Sequence, residues 1–294
     1  MKQALIKLHI SVFLAGFTGI LGVLIHLNEM TLVWYRIMIT VVSLSVLFAL
    51  TKKSTRIPKQ QAVRFFLIGT LIALHWVAFY GSIKLSNVSI GLVCFSATGL
   101  FTALLEPLLV TKKLQWAELG LGLLSLLGIY LIFHFDERYQ TGILVGIISA
   151  FLAAFFSVLN KKQVADAEPT VMMLYELTGG LVILTLLMPV YAYFFPETSI
   201  VPTLSDWGWL FVLSWLCTIV AMQLMLDSLK KVSAFTQNLS LNLEPVYAII
   251  MAFILFDENK YLSNSFYYGV GLIILSVILQ MARMLAKHSL KKKQ

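Results

Sequence analysis

Ten stretches of this chain are each long enough and apolar enough to cross a lipid bilayer. They cover roughly residues 5–26, 31–50, 62–83, 88–110, 116–135, 141–159, 170–194, 206–228, 233–256 and 265–286. About 17–25 apolar residues span the roughly 30 Å of hydrocarbon when coiled as a helix. Polar connectors divide the stretches, among them TKKSTRIPKQQ (51–61), TKKLQ (111–115), FDERYQ (135–140) and NKKQVADAEP (160–169). In lipid every backbone polar group needs an internal partner, so spanning structures are helices or closed barrels. Barrel strands would show about ten residues of strict alternation, and none do. Composition agrees, with 59% hydrophobic and 12% charged residues, against roughly 45–50% and about 25% in soluble domains. The expected fold class is an all-α membrane protein with ten transmembrane helices.

Basic residues orient the chain. With the N-terminus inside, the inner side carries Lys2, Lys7, Lys52, Lys53, Arg56, Lys59, Arg64, Lys112, Lys113, Lys161, Lys162, Lys230, Lys231, Arg283, Lys287, Lys291, Lys292 and Lys293, eighteen of the 22 Lys and Arg. Lys84, Arg138 and Lys260 fall outside, and Arg36 lies within the second stretch. Anionic lipid and the membrane potential hold basic loops on the cytoplasmic side, so both termini are expected there. The formal charge of +8 follows from these short loops, and their dispersal argues against nucleic acid as a partner. The first stretch lacks a small-x-small cleavage site, so it is read as a membrane helix and not a signal peptide. Cys94 and Cys217 fall inside stretches, where packing is the expected role and neither disulfide nor metal site is expected. HFDER (134–138) sits in an outer loop and is read as solvated.

The two halves of the chain match weakly but in order. FLAG (13–16) corresponds to FLAA (151–154), WYR (34–36) to LYE (174–176), SIKLSNVSIG (82–91) to SLKKVSAFTQ (228–237), and GLG (120–122) to GVG (269–271). Ser82 with Ser228 and Lys84 with Lys230 share an offset of 146. The expected domains are 1–139 and 140–294, each a repeat of five helices. An odd number of crossings inverts the second repeat relative to the first, a common carrier architecture whose solute site lies between the halves near the midplane.

At that offset Glu244-Pro245 falls opposite Thr98-Gly99, each pair near mid-helix. Pro245 removes a backbone donor and Gly99 loosens the coil, so both are expected as flexible points. A carboxylate at this depth is costly and should face the bundle interior. Gln237, Ser240, Glu244 and Tyr247 step by three, four and three, placing them on one helical face, with Asn238 and Asn242 flanking. Two readings fit this row, a solute cavity or a helix–helix hydrogen-bond seam.

Ten spans in two five-span halves, short loops, ALHWVAFYGSIKLSNVSIG in spans 3 to 4 and LEPVYAIIMAFILFDE in span 9 resemble the EamA family of the drug/metabolite transporter superfamily. The likeness covers nearly the whole chain. It implies a carrier of the bacterial inner membrane, often an exporter of amino acids or other small metabolites. It implies a central cavity lined mainly by spans 3, 4, 8 and 9, with 1, 2, 6 and 7 assisting and 5 and 10 peripheral. This chain departs from the family by having no proline where Gly99 stands, by carrying Glu106-Pro107 a turn or two later, and by having Lys112 where an acidic residue is usual.

Other polar residues within spans add candidates. Arg36 shares a face with Thr40 and Ser43, and either pairs with Glu244 or snorkels to the interface. His75 with Trp76 matches the family's His-Trp pair, and His75 is placed to bind solute, relay a proton, or simply bond a neighbouring backbone. Trp34, Trp76, Tyr80 and Tyr247 are aromatic candidates for the cavity wall. Asp227 lies near the end of span 8, as a contact for Lys230 or Lys231 at a gate or as a solvated helix end. Glu106 is expected to pair locally with Lys112 and Lys113. The expected substrate contacts are therefore Glu244, Asn238, Asn242, Gln237, Ser240, Tyr247, His75, Trp76, Tyr80 and Arg36, and the expected gating positions are Pro245, Gly99 and Asp227.

No metalloprotease, nucleophile-elbow or phosphate-loop motif is present, so neither catalytic residues nor ATP hydrolysis are expected. The expected function is a secondary transporter, working by alternating access without a cofactor, with proton coupling through Glu244 or His75 open to it. A membrane-embedded enzyme or a channel is the alternative. The Gly-x-Gly pairs of spans 5 and 10 permit close packing, including a homodimer.

Overall fold

In the computed structural model, which describes residues 2–291 apart from 111–112, 136, 197–199, 242, 258–259 and 261, the chain is all-helical, with no strand among the described residues. The α-helices are α1 (Lys2–Leu24), α2 (Glu29–Thr51), α3 (Lys59–Leu85), α4 (Val88–Phe95), α5 (Thr98–Leu109), α6 (Trp116–Phe135), α7 (Gln140–Gln163), α8 (Pro169–Phe194), α9 (Leu204–Ser214), α10 (Ala221–Leu229), α11 (Ala234–Leu241), α12 (Glu244–Phe256) and α13 (Asn264–Lys291). A π-helical segment, Trp215–Val220, joins α9 to α10. Seven segments are long and apolar enough to cross a bilayer: Gln3–Leu24, Glu29–Thr51, Lys59–Leu85, Val88–Leu109, Gln140–Gln163, Pro169–Phe194 and Leu204–Leu229. Shorter apolar helices, Trp116–Leu131 and Tyr247–Phe256, accompany them. The chain is a multi-pass membrane protein.

Side chains set the helix starts. Asn28 accepts from Thr31 N at α2, Asn87 from Ile90 N at α4, and Glu168 from Val171 N at α8. Thr203 and Asp206 form a reciprocal capping box at α9. Each satisfies a backbone donor that the helix itself leaves free.

Two expected spans are broken, and the breaks correspond. The 88–110 stretch divides at Ser96–Ala97, and the 233–256 stretch divides between the end of α11 at Leu241 and the start of α12 at Glu244. The boundaries of α4 and α11, and the starts of α5 and α12, all differ by the offset of 146. The same short bond recurs at both breaks: Ala97 N donates to Cys94 O at 3.1 Å and Leu243 N to Ser240 O at 3.1 Å. These are three-residue bonds, tighter than the α-helical ladder. Ser96 and Thr98 hydroxyls take up carbonyls of Val93 and Phe95 near the first break. The breaks precede the residues expected to cause them. Gly99 lies in the first turn of α5. Pro245 lies in the first turn of α12, where its missing N–H costs nothing and its fixed φ suits the helix.

The halves interlock. α3 packs along α7 and α8, α1 along α10 and α12, α2 along α8, and α6 along α13. Every one of these pairs joins the first half of the chain to the second. The α3–α8 seam is backbone against backbone: a Cβ added to Gly69 would stand 1.6 Å from Glu176 O, and one on Gly179 would stand 2.2 Å from Phe66 O. Small residues allow this approach, which substitutes for the hydrophobic drive that lipid removes. The periphery is apolar, with Leu50, Leu108, Leu186, Leu204 and Ile254 all exposed, as a lipid-facing surface requires.

Candidate functional site

The interlocked halves enclose a cavity of about 110 Å³. Its walls come from α1, α2, α3, α4, α7, the π-helical segment, α10, α11 and α12, and none from α6, α8 or α13. The polar contributors are Thr18, Arg36, His75, Ser157, Asn160, Thr218, Gln237 and Glu244, set among Trp76, Phe79, Phe95, Phe156, Met222 and Met225. A small, mostly apolar hollow with a few polar groups is the usual form of a solute site.

Glu244 begins α12 immediately after the second helix break. It is 4% exposed. Its one hydrogen bond among the described residues is from Thr18 Oγ1 at 3.5 Å, too long to hold the carboxyl firmly. Gly16, a half-turn away on α1, lets the two helices approach: a Cβ there would meet Tyr247 Cβ at 3.3 Å and Glu244 O at 3.6 Å.

Arg36 is held from several directions. Its Nε donates to Thr218 Oγ1 at 2.7 Å, Nη1 to Tyr80 OH at 3.2 Å and Nη2 to Cys217 O at 3.2 Å. The guanidinium lies 3.7 Å from the Trp76 ring centroid. Stacking and hydroxyl partners, with no carboxylate, thus anchor the cation. Of the two readings of Arg36, the pair with Glu244 is not formed: Arg36 has no ion pair among the described residues. Three of its five donors are used, so two remain available within the cavity wall.

His75 is fixed by Ser149, whose carbonyl and hydroxyl both meet Nδ1, at 2.9 and 2.8 Å. The backbone contact anticipated for this histidine is present, and the residue also lines the cavity.

Of the expected contacts, Glu244, Gln237, His75, Trp76 and Arg36 meet at the cavity. Tyr80 stands behind it, fully buried, holding Arg36. Asn238 lies in a seam: its amide donates to Thr102 Oγ1 at 2.8 Å and its oxygen accepts from Ser157 at 3.2 Å. Ser240 bonds back to Thr236 O. Tyr247 is 39% exposed and meets the Phe13 ring at 5.6 Å. The expected single face of four residues therefore splits within each helix: Gln237 of α11 and Glu244 of α12 line the cavity, and Ser240 and Tyr247, three residues further on, do not. Asn242 lies outside the described residues. Asp227 pairs with Lys7 of α1 and not with Lys230 or Lys231. Glu106 is buried, and its carboxyl accepts from Ala234 N at 3.2 Å and Phe235 N at 3.3 Å, capping α11 from the other half. Thr18, Ser157, Asn160 and Thr218 were not legible as site residues, being single polar residues in apolar runs.

Ties between the halves lie toward both ends of the bundle. At one end Lys7 meets Asp227. At the other, Asp206 accepts from His26 N at 2.8 Å and lies 3.2 Å from its Nδ1, and Glu29 accepts from Tyr191 OH at 2.8 Å.

Interlocked helical halves around a buried, partly charged cavity define a membrane transport protein. The EamA-like transporter family model matches residues 3–134 and again 140–282, and the chain belongs to that family. It is 25% identical over 232 residues to "Uncharacterized transporter sll1164" of Synechocystis sp., a match covering 73% of this chain and 64% of that relative. The chain thus spans less than two thirds of that protein. A solved crystal structure shares the fold with a TM-score of 0.69 at 16% identity, covering 94% of this chain and 97% of the other.

Proposed function

We propose that the chain is a secondary carrier that moves a small metabolite across the bacterial inner membrane by alternating access. In this reading the helices make ten crossings as two inverted five-helix repeats, with both termini cytoplasmic and net movement outward. The observation that carries it is the enclosed cavity between the halves, where Glu244 and the anchored Arg36 face one solute-sized space beside paired helix breaks. An acid and a base with spare bonding capacity suit a zwitterion, with its ammonium toward Glu244 and its carboxylate toward Arg36, so an amino acid is the proposed substrate class. The α4–α5 and α11–α12 breaks supply the flexible points, as such breaks do where they border a cavity.

The test is counter-flow in liposomes holding the purified chain. Labelled amino acids are offered outside, and the same amino acid, unlabelled, is held inside. Saturable uptake that the internal pool accelerates is the expected result. Uptake that rises linearly and ignores the internal pool would mean a channel, and chemical conversion of the solute would mean an enzyme. A panel in which no amino acid exchanges removes the zwitterion assignment.

A further inference from the structure

Glu176 lies on α8 with 0% exposure. Neither of its carboxyl oxygens has a hydrogen-bond partner among the described residues. The α3 and α8 backbones touch at this level, with Gly69 set against the Glu176 carbonyl. Beside the carboxyl stands Asn160 of α7, its side-chain amide a donor near the carboxyl but not within hydrogen-bond geometry of it. Asn160 is 2% exposed, lines the cavity, and has an amide oxygen that is also unpartnered. Three buried acceptor oxygens therefore share one locality in which the neighbouring donor, the Asn160 amide N–H₂, lies outside hydrogen-bond geometry. Native structures hold on the order of a few such atoms per 100 residues, and each asks for a physical explanation.

A counter-ion from the surrounding helices does not supply it. On α2, Arg36 is committed to Thr218, Tyr80 and Cys217, and Glu29 to Tyr191. On α3, His75 is bound by Ser149, Lys84 donates to Leu27 O, and Lys59 and Arg64 are exposed near the helix start. On α7, Lys161 donates to Leu229 O and Lys162 is exposed. On α10, Asp227 is paired with Lys7. A bare carboxylate here would carry the full desolvation cost of an unpaired charge.

One proton removes the shortage. It turns a carboxyl oxygen into an O–H donor, and the Asn160 amide, turned to present its oxygen, accepts it. We propose that Glu176 is a proton-binding site of the bundle, held as a neutral carboxylic acid bonded to Asn160 just behind the cavity wall. Glu176 occupies the repeat position of Arg36, in LYE against WYR. The two halves thus hold a cation and a protonated acid at corresponding places. Opening of the bundle along the α3–α8 seam would admit water to Glu176 and release the proton. Only that link to transport rests on the carrier reading; the protonation stands without it.

The experiment is infrared spectroscopy of the purified full-length chain in detergent at neutral pH, wild type minus Glu176→Gln. The expected difference is a neutral carboxylic acid C=O band, present in wild type, absent in Glu176→Gln and retained in Glu244→Gln. A pair of carboxylate bands in its place overturns the proposal. Asn160→Leu gives an independent reading if Glu176→Gln fails to fold: the neutral-acid band shifts when the bond to the amide is lost, and an unshifted band overturns the assigned partner. Exchanging sodium chloride for choline chloride at one pH leaves the band unchanged. A band that responds to sodium assigns these oxygens to a metal cation and overturns the proton.

Discussion

The tie between Glu106 and α11 makes a quantitative prediction about how the halves hold together. Glu106→Ala removes the acceptor facing Ala234 N and Phe235 N, at 3.2 and 3.3 Å. All three residues are buried, Glu106 at 2% and the other two at 0% exposure, so water cannot take the carboxyl's place. A lost helix cap costs about 0.5–2 kcal/mol, and a buried donor left unpaired about 1–3 kcal/mol. Two such donors, with some relaxation of the turn before α11, give an expected loss of about 2–5 kcal/mol. Glu106→Gln keeps one acceptor oxygen but loses the charge at the helix N-terminus, for an expected loss of about 1–2 kcal/mol. Unfolding of the purified protein in detergent, followed by tryptophan fluorescence, should rank wild type above Gln and Gln above Ala. A Glu106→Ala variant as stable as wild type would refute the clamp, as would a Gln variant less stable than Ala.

Arg36→Lys keeps the charge but cannot reach Thr218, Tyr80 and Cys217 together. Losing about two charge-assisted bonds should cost roughly 3 kcal/mol in the same unfolding assay, and a Lys variant of wild-type stability would contradict the anchoring. The Lys7–Asp227 pair is 43% and 26% exposed, so a double-mutant cycle should give a coupling of only about 0.2–1 kcal/mol, fading at high salt. A coupling unaffected by salt would mean the pair is shielded. Asn238→Ala should lower the unfolding midpoint while leaving solute affinity in counter-flow unchanged, because its bonds run to Thr102 and Ser157. A weakened affinity would bring Asn238 to the solute.

Much of this architecture is legible in the residues because membrane insertion is governed by local quantities. The length of an apolar run locates α2 and α8 within a few residues, and the 146 offset locates the paired breaks. The breaks themselves lie before Gly99 and Pro245, since a short three-residue bond at Ala97 or Leu243 leaves no mark in residue type. A face drawn at helical spacing joined Ser240 to Gln237 and Tyr247 to Glu244, but a step of three residues falls about 60° short of a full turn, and neither Ser240 nor Tyr247 lines the cavity. Polarity marked Asn238 and Tyr80 as costly to bury but could not say which partner offsets the cost. Nothing in the residues near Glu106 shows that its carboxyl also accepts from backbone groups 128 and 129 residues away. Thr18 and Asn160 carry no spacing signal, because a lone hydroxyl or amide in an apolar run looks the same whether it faces a cavity or its own helix.

The most direct trial of the account concerns Glu244 as the loosely held acid inside the cavity. Glu244→Gln preserves shape and removes the ionisable carboxyl, so counter-flow should be lost while the yield of folded, detergent-stable protein stays near wild type. If transport and folded yield fall in parallel, Glu244 serves the structure alone, and the cavity between the halves is not the path of the solute.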